Sequence, residues 1–147
     1  MMDSCRAEKG FRHFGHDITS EDHVVEAGLG FAVNTTKDDF IGKEAVIQKK
    51  EKGLEQRLLQ FILEDPAPLL YHNEPIVRDQ EIVGYLSSGS YGHHLGASIG
   101  MGYVPVKNET VQDLLSSDYH IEIAGSRVKA KASSRPLYDP THARMKV

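Results

Sequence analysis

GYLSSGSYGHHLGASIGMGY, residues 84–103, places six glycines in a stretch of twenty residues. Two physical readings compete for it. Closely spaced glycines let a backbone wrap a phosphate, but a phosphate loop ends in Gly-Lys-Ser/Thr and runs into a helix. This stretch has no such ending, and no helical pattern clearly follows it. Glycines between short strands instead mark bulges and barrel corners. The stretch therefore reads as strand, corner, strand, with Tyr91 or His93 at a pocket rim.

Its neighbours keep the same two-residue period. RLLQFILE (57–64) alternates, with Leu59, Phe61 and Leu63 on one face, and DPAP then breaks it. PIVRDQEIVGYLSS (75–88) reads as a hairpin turning at Asp79-Gln80, although the glycine preferred in such turns is absent. ASIGMGYVPV (97–106) is a further strand weakened by glycines. YHIEIAGSRVKAKA (119–132) is a hairpin with Gly125-Ser126 at its turn; Ile121 and Ile123 face one way, and Val128, Ala130 and Ala132 alternate likewise. Roughly five to seven short strands with turn signals between them predict a small antiparallel barrel or sandwich.

Upstream the pattern changes to helix and loop. Ala7, Phe11 and Phe14 lie at helical spacing, interrupted by Gly10 and Gly15. MMDSCRAEKG reads as a helix entered part-way, with Asp3 or Ser4 as its N-cap, and so as the continuation of a larger architecture. TSEDHVVEAGLG predicts a helix capped by Thr19 or Ser20 and stopped at Gly28. Phe31 to Val33 predicts a short strand. TTKDDFIGKEAVIQKKEKG is the clearest helix: Asp38 and Asp39 at its start, Lys49, Lys50 and Lys52 near its end and Gly53 past it complement the helix dipole. The expected division is 1–54 and 55–147.

Composition bounds the function. The chain has 147 residues, 39% hydrophobic and 26% charged, in the range of a globular protein, with a formal net charge of −4. That balance argues against nucleic acid or an anionic membrane as the partner of the whole surface. Cys5 is the single cysteine, so no intrachain disulfide and no Cys-rich zinc site can form. The chain shows neither an apolar run of bilayer length nor a basic-then-apolar leader, and the expectation is a soluble, cytoplasmic protein.

Several constellations carry chemistry. His13, His16 and His23, with Asp17 beside them, supply enough ligands for zinc. No pair among them has the i, i+4 spacing of a helical zinc motif, and Gly15 breaks any helix there, so hydrogen-bonded or solvent-facing imidazoles are the favoured reading. His93 and His94 would point to opposite faces of a strand. Arg6 would lower the pKa of the Cys5 thiol, but a lone cysteine is more often packed into a core or an interface. No G-x-S-x-G elbow is present. Glu8 and Arg12, at i and i+4, read from spacing as a surface ion pair worth a few tenths of a kcal/mol, on the order of 0.2–0.5. The alternative is a carboxylate facing a pocket and accepting two N–H bonds from an amino-heterocycle.

Taken in order, RAEKGFRHFGHDI, VVEAGLGFAV, KDDFIGKEAV, RLLQFILED, EPIVRD, VGYLSSGSYGHHLGASIGMGYV and RPLYDP resemble the carboxy-terminal part of the glycine-cleavage T-protein (aminomethyltransferase) family. They are most similar to the folate-binding module that ends dimethylglycine and sarcosine dehydrogenases. The resemblance runs from Arg6 to Met145. It implies an α+β fold, the end of a folate-binding α/β region (1–54) followed by a small antiparallel β-barrel (55–147). It implies tetrahydrofolate as cofactor, capturing a one-carbon unit from an aminomethyl or N-methyl group as 5,10-methylenetetrahydrofolate. Glu8 matches the pterin-binding glutamate of the family's R-x-E segment. Lys37 matches a basic position before D-F-I-G on the folate side, where a cation would meet the glutamate tail. Tyr138 or Arg144 matches a ligand contact near the end, and Tyr91 joins the expected cofactor-binding set as the rim residue.

The departures are Phe14 where the dehydrogenase modules carry tryptophan, Ala7 inside R-x-E, and Asp79-Gln80 for Asp-Gly or Asn-Gly. They bear on pocket shape and substrate choice. The family's catalytic aspartate has no counterpart here, so no catalytic residue is assigned and the chain alone is expected to be poorly active. The expected partners are folate, an amino-terminal half or a flavin-dependent oxidoreductase domain, and further copies of the chain. Flavin itself has no dinucleotide fingerprint to bind. The competing readings are a non-catalytic regulatory or interaction module of the same fold, as at the end of the pyruvate dehydrogenase phosphatase regulatory subunit, and an oligonucleotide-binding barrel. The latter needs cations beside Tyr85, Tyr91 and Tyr103, and few are adjacent.

Overall fold

A computed structural model describes residues 2–146. The glycine-rich stretch forms two long strands joined by a tight corner. They are β3 (Glu81–Gly92) and β4 (Ala97–Pro105), following β1 (Gln56–Leu63) and β2 (Pro75–Arg78) and preceding β5 (Tyr119–Ile123) and β6 (Ser126–Ser133). The strands close into an antiparallel barrel in the order β1-β4-β3-β2-β5-β6, with β6 returning to pair with β1. Leu59, Phe61 and Leu63 point into it, as their alternation predicts, and meet Ile76, Leu86 and Ile121 in one buried cluster. Phe61 and Tyr119 pack edge to face there, ring centres 5.3 Å apart. No helix among the described residues is long and apolar enough to cross a membrane.

Both hairpin turns use two left-handed residues, matching the twist of the flanking strands. Asp79 and Gln80 have φ of 49° and 77°, so that turn forms without glycine. The second turn is Ala124-Gly125, one residue earlier than expected, with φ of 49° and 80°. Gly125 thereby takes the second central position, where its missing Cβ costs least.

The described residues also form three α-helices, α1 (Met2–Glu8), α2 (Lys43–Lys52) and α3 (Val111–Ser116). Helix α1 begins at Met2, so Asp3 and Ser4 lie inside it and do not cap it. It ends at Glu8 because the chain turns left-handed at Gly10 (φ 67°), where the Phe11 N–H closes back on the Arg6 carbonyl (2.9 Å). Phe11 and Phe14 are therefore past its end and exposed. The helix expected over residues 19–28 is a series of turns. Asp22 accepts both the Thr19 N–H and its hydroxyl, and the chain then coils only far enough for Ala27 N–H to reach the His23 carbonyl (2.9 Å). The strand expected at Phe31–Val33 is a short 3-10 turn, Gly30–Ala32. Helix α2 starts at Lys43, after left-handed Gly42, and not at Asp38. Glu26 ties this non-barrel segment down: its Oε1 accepts the Glu55 N–H (2.9 Å) and the Lys49 ammonium (2.9 Å) where β1 begins.

Candidate functional site

Helix α1 lies against β3 and β4 and is gripped on two sides. On one side the Ser4 hydroxyl donates to the Tyr91 carbonyl (2.7 Å), and one turn later Glu8 reaches the corner between β3 and β4. There its Oε1 accepts the backbone N–H groups of His94 (2.7 Å) and Leu95 (3.2 Å). Gly92 makes room for this approach, since a Cβ there would stand 3.1 Å from the same oxygen. The Glu8 residue is only 6% exposed. Its second oxygen, Oε2, accepts no hydrogen bond from the described residues. Glu8 is thus a buried carboxylate with one oxygen filled by the fold and one left over.

The Glu8–Arg12 surface pair does not form. Arg12 instead donates to the carbonyls of Gly10 (2.6 Å) and Ala27 (3.1 Å), and burial holds its pKa below the ordinary arginine value.

On the other side of α1, Arg6 makes a polar knot. Its Nη1 donates to Asp17 Oδ2 (2.9 Å), its Nη2 to the Ser88 hydroxyl (3.0 Å) and its Nε to Asp3 (2.9 Å). Asp17 is fully buried; it also accepts the His13 N–H (2.8 Å) and the Ser87 hydroxyl. The spacing gives no usable hint of this centre: Arg6 and Asp17 lie about three helical turns apart, but left-handed Gly10 and Gly15 break any helix between them. The remaining imidazoles are spoken for: His13 and His16 stack with ring centres 4.5 Å apart, and His23 Nδ1 accepts the Val25 N–H (3.2 Å). Among the described residues no group of three or more His, Cys, Asp or Glu side chains is gathered to hold a metal ion. Cys5 is exposed and not packed in the core.

The other expected cofactor residues fall in different places. Tyr91 is half-buried on β3, its ring edge-on to His93 at 5.3 Å, and it lines a cleft of about 450 Å³ with Arg6, His13, His16 and Tyr71. Arg144 stands with its guanidinium 5.6 Å from the centre of the Tyr138 ring. Tyr138 is bound back to α1 through its N–H to the Glu8 carbonyl (3.1 Å), with the His94 ring 4.2 Å away and the Lys9 ammonium 5.6 Å away. Glu8, Tyr91 and Arg144 are thereby gathered around α1, with Tyr138 as the link to Arg144. Lys37 is not: it is exposed on the loop before α2, and its carbonyl holds the Lys43 ammonium (2.6 Å). A second cleft, of about 540 Å³, opens past the end of α1 between Phe11, Ile18, Leu29, Phe31 and the tail segment Ser134–Pro136. Glu8 lines neither cleft; its neighbours along the chain do, Arg6 the first and Lys9 the second.

A family model described as the glycine cleavage T-protein C-terminal barrel domain matches residues 56–139. The 4-methylaminobutanoate oxidase (formaldehyde-forming) of Paenarthrobacter nicotinovorans is 38% identical over 99% of this chain, and mitochondrial sarcosine dehydrogenase of Homo sapiens is 33% identical over 99%. The chain spans only 17% and 16% of the length of these two relatives, and 37% of the aminomethyltransferase of Symbiobacterium thermophilum. The crystal structure of glycine cleavage system aminomethyltransferase T from Bartonella henselae superimposes with a TM-score of 0.79 over 94% of this chain and 38% of that one; at 23% identity this likeness bears on fold alone.

Proposed function

The chain belongs to the glycine cleavage T-protein C-terminal barrel family, and from that membership we propose that it is the tetrahydrofolate-binding carboxy-terminal part of a one-carbon transferase. The proposal follows from the chemistry of one residue. Glu8 is buried, held rigid through Oε1 by two backbone N–H groups, and its Oε2 is unused. A carboxylate fixed in this way is a preorganised acceptor for the N–H donors of a 2-amino-4-oxo pterin, and a charged acceptor makes roughly twice as strong a bond as a neutral one. Oε1 has its two acceptor sites filled, so the pterin is gripped through Oε2.

Tetrahydrofolate, when bound, supplies the nitrogens that take up the one-carbon unit as 5,10-methylenetetrahydrofolate. Tyr91 and Arg144 flank the anchor and contact the folate beyond the pterin. Lys37 has no tether to α1, and its place at the glutamate tail carries over from the family resemblance. No residue of this chain is assigned to the chemical step. The catalytic carboxylate comes from the amino-terminal region of the longer family members, which seats on the face carrying Phe11 and Phe31.

The test is calorimetry with 5-formyltetrahydrofolate, a stable reduced folate, on the native chain and on Glu8→Gln and Glu8→Ala. Glutamine still offers a carbonyl oxygen to the His94 and Leu95 amides but replaces Oε2 with an N–H donor. Glu8→Gln is expected to weaken binding by about ten- to a hundredfold, the loss of a charge-assisted bond of roughly 1.5–3 kcal/mol, while leaving the fold intact. Glu8→Ala weakens both binding and the corner. Identical heats for all three proteins would remove Glu8 from the site.

A further inference from the structure

We propose that Asp17 is a positioning residue for Glu8, acting through Arg6. The inference rests on the reading of Glu8 as the ligand anchor, but its structural half stands without any ligand.

Helix α1 has seven residues, too few to be stable on its own, so its orientation is set by its tethers. Ser4 and Glu8, one turn apart, hold one side of it to the Tyr91 carbonyl and to the corner amides. The Tyr138 N–H and the Gln60 side-chain amide also hold the Glu8 and Ala7 carbonyls, but they act on the backbone of the last turn and leave the first turn free to roll about the Ser4–Glu8 line. Arg6 points the other way around the axis, about 200° from Ser4 at 100° per residue, and supplies the opposing hold. Its guanidinium spans from Asp17 to Ser88 on β3.

Asp17 makes this hold rigid. Its Oδ2 takes both Arg6 Nη1 and the His13 N–H, and its Oδ1 takes the Ser87 hydroxyl, so one buried carboxylate joins α1, the loop after it and β3. A planar guanidinium bonded at Nη1, Nη2 and Nε has little freedom left. With Asp17 in place, α1 cannot roll, and Glu8 meets the His94 and Leu95 amides squarely. Without its charge, residue 17 offers Arg6 a neutral amide oxygen at most, roughly half as strong an acceptor, beside exposed Asp3 and the Ser88 hydroxyl, and Glu8 swings off the corner.

The experiment is site-resolved amide hydrogen exchange on the whole chain, native and Asp17→Asn. Protection at His94 and Leu95 reports the Glu8 carboxylate directly, and Ile121 and Val128 in β5 and β6 report the barrel. Asp17→Asn is expected to lower protection at His94 and Leu95 at least tenfold with Ile121 and Val128 unchanged. Unchanged protection at His94 and Leu95, or a uniform fall across the barrel, overturns the proposal. If Asp17→Asn does not fold, Ser87→Ala decides: it unfastens Asp17 from β3 and gives up one longer contact to the Met101 carbonyl (3.1 Å), and a local fall of at least threefold at His94 and Leu95, with Met101 unchanged, is required.

Binding of 5-formyltetrahydrofolate to the same variants separates the two ideas. If the native chain binds none, Glu8 loses its ligand role while the exchange data still decide the role of Asp17. If the native chain binds and Asp17→Asn binds equally well, the positioning role is gone and the folate reading survives.

Discussion

Glu109 shows how much one side chain can decide away from the ligand site. Its carboxylate receives both terminal nitrogens of Arg78, Nη1 to Oε1 at 2.8 Å and Nη2 to Oε2, while Arg78 Nε donates to the Ser117 hydroxyl (2.9 Å). The arginine hydrogen bond holds the Glu109 carboxyl below its ordinary 4.5, and the same bond raises the pKa of Arg78. A carboxyl whose pKa is lowered on folding contributes stability that is complete above its unfolded value and fades as the pH falls through the folded one. Glu109→Gln should therefore cost about 1.5–3 kcal/mol at pH 7, the range for a lost bond between charged groups. The difference from the native chain should shrink as the pH drops below about 4.5 toward 3; urea denaturation across that range measures it. A gap that stays constant with pH would mean that the pair is not linked to folding. The two carboxylates differ in how legible they were. Glu8 was singled out because an R-x-E block carries it, although spacing alone paired it with Arg12. The Arg12 guanidinium goes to backbone carbonyls instead, because Gly10 turns the chain just before it. Glu109 gave no signal, since its partner lies far away in sequence and no period connects them; Asp17 stood out only beside the histidines, because Gly10 and Gly15 hide its pairing with Arg6.

At the scale of elements, glycine does more in the barrel strands than the corners and bulges that the pattern of residues 84–103 predicts. Bulges do lie between Ile76 and Val77 opposite Gly84 and between Leu86 and Ser88 opposite Gly102, but Gly100 and Gly102 also stand inside β4. There they let β3 and core side chains approach closely: a Cβ on Gly102 would fall 2.6 Å from the Tyr85 carbonyl oxygen. That oxygen belongs to the neighbouring strand's backbone and cannot step aside. Gly102→Ala should lower stability by about 1–3 kcal/mol, as overpacking does, measured by thermal or urea denaturation; a variant as stable as the native chain would show that β3 and β4 can part without cost. Strands were legible because alternation at period two survives any partner arrangement. The segment before the barrel was less legible. Residues 19–28 hold an N-cap signal, acidic residues and a glycine stop, yet form only turns. Such a segment is too short to be helical by itself, and its shape follows from the Glu26 and Asp22 anchors, which are tertiary and local polar contacts that no apolar period encodes.

For the whole molecule, the barrel and the segment before it stand in different positions. The barrel closes on itself, so it has no free sheet edge and a shared core. The first fifty residues have no comparable core of their own, and they carry Phe11 at 54% and Phe31 at 84% exposure, flanking the 540 Å³ cleft, together with fully exposed Ile41. Contiguous apolar surface beyond a few hundred Å² normally has a partner, and the relatives are longer than this chain, which spans 38% of the aminomethyltransferase whose structure superimposes on it. Taken as residues 1–147 alone, the chain should pair this face with a second copy, and a formal net charge of −4 is too small to oppose that strongly. Sedimentation equilibrium should accordingly give a weight-average mass that climbs above 16.4 kDa as concentration rises. Phe31→Asp should weaken that association at least tenfold. Because Phe31 is so exposed, the substitution should leave the unfolding midpoint of the barrel nearly unchanged, which separates loss of an interface from loss of the fold. A clean monomer at high concentration would mean that Phe11 and Phe31 are tolerated in water, and the seat assigned here to the amino-terminal region would lose its physical basis.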